Sequence, residues 1–290
     1  MERQDLVAEK RKGGSPANKP GTGRPANGGP AISLRGVALD FPSPEGGTLR
    51  LYEDFNLDVE RGSFTVLLGP SGCGKSTLLN VIDGLIPATA ADTVRVLGDD
   101  VRRGAQATRQ IGYIFQSPRL LEWKTLKDNA IFGLRGLGLQ PRTRWPELLE
   151  KYFRAVGLAD YVDYYPRQVS GGMQQRAAIV RAWVNEPPIL LMDEPFSHLD
   201  EITASQVRRE LIDLWLAEER RRTVVFVTHD ISEAVQLGSR VIVLTPRPMR
   251  LCHEEMIVKP WPRRSDDEDL FRVERKLRGV LSDQVGEAGV

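Results

Sequence analysis

With 290 residues, 41% of them hydrophobic, the chain can bury one large core with room for a sub-domain, and it carries no repeat of the kind a solenoid requires. Its 40 Lys and Arg balance 39 Asp and Glu, so no global basic field calls for nucleic acid, and none is expected as a partner. No run approaches the roughly 18 apolar residues that a membrane-spanning helix needs.

Residues 1–30 are polar, slightly basic and rich in Gly, Pro and Asn, without the apolar centre of a secretory signal. Such a composition buries too little surface to offset ordering entropy and predicts a disordered tail. From Ala31 to Glu60, alternating stretches such as Ile32-Ser33-Leu34 and Leu57-Asp58-Val59 read as short antiparallel strands, interrupted by the turn-rich Pro42 to Gly47. Phe64 to Leu68 is an apolar strand that runs into a glycine loop, and Ser76 to Ile82 follows at helical spacing. Between Gln116 and Arg181 the pattern is helical: Leu126 to Leu134, Trp145 to Val156, and a third helix from Gly171 with Ser170 as its N-cap. Ile189 to Met192, Val224 to Val227 and Val241 to Leu244 are short, continuous apolar runs. That continuity predicts strands covered on both faces, as in a parallel sheet flanked by helices. After Pro260, a charge-mixed stretch leads into one more expected helix, Leu270 to Leu281, whose role the sequence leaves unread.

The chemistry concentrates in four places. Gly69-Pro70-Ser71-Gly72-Cys73-Gly74-Lys75-Ser76, followed by Thr77, places two glycines four residues apart before Lys and Ser, between a strand and a helix. Glycines let the backbone wrap a phosphate, Lys75 can reach the β and γ phosphates, and Ser76 can ligate Mg²⁺. Cys73 reads as a small residue of that loop; a disulfide to Cys252 would obstruct the ligand, so both thiols are expected reduced and the chain cytoplasmic. Asp193 and Glu194 follow an apolar strand, at the end where open α/β sheets place ligands. There Asp193 suits a magnesium ion, and Glu194 suits the orientation or deprotonation of an attacking water. Ser170-Gly171-Gly172 at a helix N-terminus offers a second anion site, through a hydroxyl, unpaired amides and the helix dipole. His229 ends another apolar strand, a position where a histidine taken alone is more often a hydrogen-bonded structural group.

In this order the motifs resemble those of the ATP-binding cassette (ABC) ATPases. The resemblance implies an α/β P-loop NTPase cassette over 31–258, with a mostly parallel core sheet, an antiparallel β sub-domain and a helical sub-domain at about 117–181; residues 259–290 would form a C-terminal extension. It implies ATP and Mg²⁺, and a homodimer in which Ser170 to Gly172 of one copy close over ATP held by the P-loop of the other. Tyr113-Ile114-Phe115-Gln116 resembles the Q-loop, whose glutamine reaches Mg²⁺ and the attacking water. Val227-Thr228-His229-Asp230 resembles the switch segment whose histidine contacts the γ-phosphate. Phe41 is the candidate for stacking on adenine, with core packing as its alternative role and Tyr52 as the alternative residue. Ser197-His198-Leu199-Asp200 resembles the D-loop at the dimer interface, where a small residue is more usual than His198, and no catalytic role is assigned to that histidine.

Met173, the stretch Arg119-Leu120-Leu121-Glu122-Trp123 with Thr125 and Asn129, and Pro246-Arg247-Pro248 are similar to the nitrate, sulfonate and taurine importers, although Glu122 stands where that group carries proline. This similarity implies separate transmembrane permease subunits, an extracytoplasmic solute-binding protein, and a peripheral position on the inner face of the membrane. A soluble ABC clamp acting on nucleic acid or ribosomes would need a long heptad coiled coil between the P-loop, Gly69 to Ser76, and the segment that resembles the family signature, Ser170 to Gly172, or a second cassette in the chain. Neither feature is present.

Overall fold

The computed structural model describes residues 29–43, 46–103, 108–218, 221–264 and 266–287. The expected tail therefore lies outside the described residues, apart from Gly29 and Pro30. The chain opens with β1 (Ile32–Pro42), β2 (Thr48–Val59), β3 (Phe64–Leu68), α1 (Lys75–Ile82), β4 (Thr93–Val96), β5 (Asp99–Asp100) and β6 (Ile111–Ile114). A helical block follows, with α2 (Leu126–Leu137), α3 (Trp145–Ala155) and α4 (Gly171–Trp183). The remainder alternates: β7 (Ile189–Asp193), α5 (Glu201–Leu216), β8 (Thr223–Thr228), α6 (Ile231–Leu237), β9 (Arg240–Leu244), β10 (Leu251–Met256) and α7 (Glu268–Glu287).

Two sheets result. The first has the order β2-β1-β4-β5 and is antiparallel throughout. The second has the order β10-β9-β3-β8-β7-β6, parallel from β9 to β6, with β10 antiparallel at one edge. Along β3, Phe64, Val66 and Leu68 face one apolar cluster with α4, α5, α6 and α7, while Leu67 faces another shared with α1 and the antiparallel sheet. Burial of both faces explains why these strands are continuous apolar runs rather than alternating ones.

β1 and β2 are longer than their sequence pattern suggests. Their register shifts between Leu34 and Val37, between Val37 and Leu39, and between Leu39 and Asp40. Each bulge inserts a residue and breaks the period of two, so the alternation ends before the pairing does. α7 is also longer than expected. Glu268 and Asp269 occupy its first turn, where carboxylates favour the helix dipole, and Leu270 and Leu277 bury into the main core. Two elements with legible caps went unread: α5 begins at Asp200, whose carboxylate accepts the Thr203 amide, and α6 at Asp230, which accepts from Ser232 and Glu233.

Candidate functional site

The glycine loop joins β3 to α1 at the ends of the parallel strands. Gly72 (φ 76°) and Gly74 (φ 118°) lie in the left-handed region, where a side chain would strain the backbone. Gly74 is further constrained from below, because a Cβ there would stand 3.0 Å from the Tyr52 ring. The Tyr52 hydroxyl donates to the Gly74 carbonyl at 2.6 Å, with Thr77 beside it. Tyr52 is fully buried beneath the loop, so it offers no stacking face; Phe41, partly buried at the end of β1, packs against the same cluster. Cys73 is buried and free, and so is Cys252 free.

Lys75 is buried in the loop, with its ammonium donating to the carbonyls of Gly69 and Pro70, both at 2.8 Å. Glu194 Oε1 lies 3.9 Å from that ammonium, and Glu194 Oε2 lies 3.0 Å from His229 Nδ1. Lys75 opens α1 after the loop that follows β3, while Glu194 and His229 come from the ends of β7 and β8, and these three strands are neighbours in the sheet. Glu194 itself has φ 41°, an uncommon conformation for a side-chain-bearing residue, and its amide bonds to the Val227 carbonyl at 3.0 Å. Thus the ladder runs one residue past β7 and then turns the carboxylate in between Lys75 and His229.

Asp193 accepts a hydrogen bond from the Ser76 hydroxyl at 2.7 Å. Burial pushes its pKa up, the neighbouring Glu194 charge adds to the shift, and the Ser76 bond opposes it. A buried carboxylate held above its usual range, beside a hydroxyl, gains from a small hard cation. The residues present therefore fit a magnesium ion that would share its remaining ligands with phosphate and water. A cavity of about 570 Å³ opens here, lined by Ser76, Asp193, Gln116 and His198 among others. Gln116 donates to Ser197 Oγ at 3.4 Å.

Tyr113, Asn80 and Arg119 also line this cavity; the sequence displayed Tyr113 and Arg119 only as members of motifs, with no site role, and Asn80 only within a helical run. Tyr113 donates to Asn80 Oδ1 at 3.2 Å and stacks on Phe115 at 4.3 Å, and the Arg119 guanidinium lies over the Phe115 ring. No spacing in the sequence signals them, because strand order and the turn after β6 bring them together.

Ser170, Gly171 and Gly172 stand apart from this cavity and form none of its lining. Ser170 caps α4 by accepting the Met173 amide at 3.3 Å. A Cβ on Gly172 would meet the Thr203 methyl of α5 at 2.6 Å, so a side chain there would displace Thr203 at the start of α5. At Gly171 a Cβ would meet nothing within 4 Å, which leaves the amide end of α4 open on that side.

The family described as "ABC transporter" matches residues 52–197. An uncharacterized ABC transporter ATP-binding protein of Methanocaldococcus jannaschii is 40% identical over 83% of this chain and 87% of its own. The taurine import ATP-binding protein of a Jannaschia species is 36% identical over 84% and 88%. The aliphatic sulfonates import ATP-binding protein of Bacillus cereus is 35% identical over 85% and 94%. Among solved structures, a dimeric bacterial ABC transporter cassette superposes with a TM-score of 0.69 at 31% identity, covering 79% of this chain and all of that one. A dimeric post-hydrolysis cassette bound to ADP and Pi superposes with a TM-score of 0.65 at the same identity and coverage.

Proposed function

The chain belongs to the ABC transporter ATPase family, and from that premise we propose that two copies assemble around two ATP molecules to drive separate permease subunits in the uptake of a small solute. The observation that carries the dimer is the open amide end of α4 at Ser170 to Gly172, an anion site outside the cavity of its own P-loop. A nucleotide held by the P-loop of a second copy would complete it. The similar cassettes of known structure that are described as dimeric support the same arrangement.

In this reading Lys75 and the loop amides bind the β and γ phosphates, and Phe41 stacks on adenine. Ser76, Asp193 and Gln116 would hold the magnesium ion, which when bound neutralises charge on the β and γ oxygens. Glu194, fixed by His229 and by its own backbone bond, takes the proton of the attacking water. The water oxygen bonds to the γ-phosphorus, the bond to the β-phosphate oxygen breaks, and ADP leaves; His229 contacts the γ-phosphate. Closure on binding and opening after hydrolysis supply the stroke.

Among the described residues no helix is long and apolar enough to cross a membrane, so the membrane path would be supplied by permease subunits, with a solute-binding protein delivering the cargo. The relatives named for taurine and aliphatic sulfonate import support a small sulfonate-bearing solute as cargo, with nitrate as the alternative, and a position for the chain at the inner membrane face. Nucleic acid has no part in this reading.

The composite site can be tested by mixing two inactive chains. Gly171→Asp sets a carboxylate into open space where the γ-phosphate would bind, and Lys75→Ala removes the phosphate-binding ammonium. Each alone should be inactive, while an equal mixture should regain about a quarter of wild-type turnover, by random pairing around two sites. A mixture as inactive as its components would overturn the shared site.

A further inference from the structure

Arg181, in the last turn of α4, spans from the signature-bearing helix to the segment that follows Gln116. One guanidinium nitrogen donates to the Arg119 carbonyl at 2.5 Å and the other to the Pro118 carbonyl at 2.8 Å. Burial holds the guanidinium below its usual pKa, and it makes no ion pair among the described residues. A half-buried guanidinium with neutral carbonyls as its protein partners is held by the fork of two bonds, and this makes the contact geometrically demanding. Gln175, also on α4, reaches the Phe115 carbonyl at 3.5 Å.

The gripped segment is itself constrained. Arg119 adopts φ 46°, and its side chain folds back over Phe115, which stacks on Tyr113 in the cavity wall. On the other side of Arg181, a Cβ on Gly133 of α2 would collide with the Arg181 carbonyl, and Asn185 just past α4 donates to the Gly133 carbonyl at 2.5 Å. α4 is thus wedged between α2 and the segment 115–119. By its length it is a rod of about 20 Å, with Ser170 to Gly172 at the far end.

We propose that Arg181 is the positioning residue that couples the Gln116 segment to the signature, so that a shift of one is delivered to the other through α4 as a rigid body. The inference rests on the dimeric reading above. Arg181 touches no nucleotide; it sets where Ser170 to Gly172 stand when a nucleotide is present on the partner copy.

The test uses the full-length chain, with Arg181→Met to keep the stem and remove the fork, and Arg181→Lys to restore a single donor. Nucleotide affinity is read with a fluorescent ATP analogue, and kcat and KM from phosphate release. Arg181→Met should lower kcat by at least tenfold, with analogue affinity and KM within twofold of wild type, and Arg181→Lys should recover part of the loss. A kcat within twofold of wild type in Arg181→Met, or a parallel loss of analogue affinity, would overturn the proposal. Should Arg181→Met fail to fold, combining Arg181→Lys with Gln116→Ala decides the matter: the effects on kcat should be less than multiplicative, and independent multiplication counts against the coupling. A failure confined to Arg181 leaves the chain-mixing rescue intact, whereas failure of the dimeric reading abolishes that rescue with Arg181 in place.

Discussion

Glu194 carries three constraints at once: a left-handed backbone, a bond to His229 and a long approach to Lys75. Its adjacency to Asp193 was legible in the sequence, because a carboxylate pair after an apolar strand is contiguous. Its contact with His229 was not, since that depends on β7 and β8 being sheet neighbours. Glu194→Gln keeps the shape and removes the base, so phosphate release should fall by about a hundredfold or more while affinity for a fluorescent ATP analogue changes less than about twofold. Asp83 went unremarked in the sequence. It caps the C-terminus of α1, where the helix dipole disfavours a carboxylate, and burial pushes its pKa up to about 7. The folded state therefore holds this proton more tightly than the unfolded chain. Stability from Asp83 is complete below about pH 4 and is lost as pH rises through about 7. Asp83→Asn should raise the unfolding free energy by on the order of 2 kcal/mol at pH 8, a partly wetted carboxyl feeling less than the full shift, with the gain vanishing near pH 4. Denaturant titrations at the two pH values check it, and an equal effect at both would exclude the titration.

At the level of elements, α2 shows what a helix can do besides filling a core. The fully buried Asn129 accepts the Leu121 amide at 2.7 Å and donates to the carbonyls of Leu121, Lys124 and Thr125. One amide group thereby fixes the loop that presents Trp123, which is 72% exposed. The sequence displayed Asn129 as part of a subgroup pattern, but which backbone groups it satisfies depends on how the loop folds back over the helix. Asn129→Ala would leave the Leu121 amide without its partner and should cost about 2 kcal/mol. It should also free the loop, and limited trypsin digestion should then cut after Lys124 faster than in wild type. Unchanged cleavage would mean that the loop is held by other contacts. The helices α2, α3 and α4 were legible as periodic patterns, and β3, β7, β8 and β9 as apolar runs, whereas the four-residue β6, with Gly112 inside it, carried no such run. The lengths of β1 and β2 were hidden by bulges that interrupt the alternation.

Across the whole molecule, the segment after 258, set apart in the sequence by its charge and its proline, packs onto the same core as the catalytic strands. Trp261 donates to the Gln236 carbonyl at 3.0 Å and meets Trp215 edge to face at 5.2 Å. Arg263 stacks on Trp261 and donates to the carbonyls of Val235, Gly238, Ile257 and Lys259, with burial pulling its pKa down to about 10. α6, of seven residues, is too short to stand alone, and α7 lies against it. Its first turn holds Glu233, which accepts from Thr228 and pairs with the buried Arg208, itself joined to Glu201 at the start of α5. The support beneath His229 therefore runs through α6 to α7 on one side and through α5 to the loop of His198 on the other. If α7 is part of this one body, Leu277→Ala should lower the unfolding free energy by about 2–5 kcal/mol in a single cooperative step. Tryptophan fluorescence and far-ultraviolet circular dichroism should then report coincident midpoints. An early transition that removes helical signal while the fluorescence of Trp215 and Trp261 stays native would instead show α7 detaching on its own, and the buttress beneath His229 would have to be sought in Arg208 and Glu233 alone.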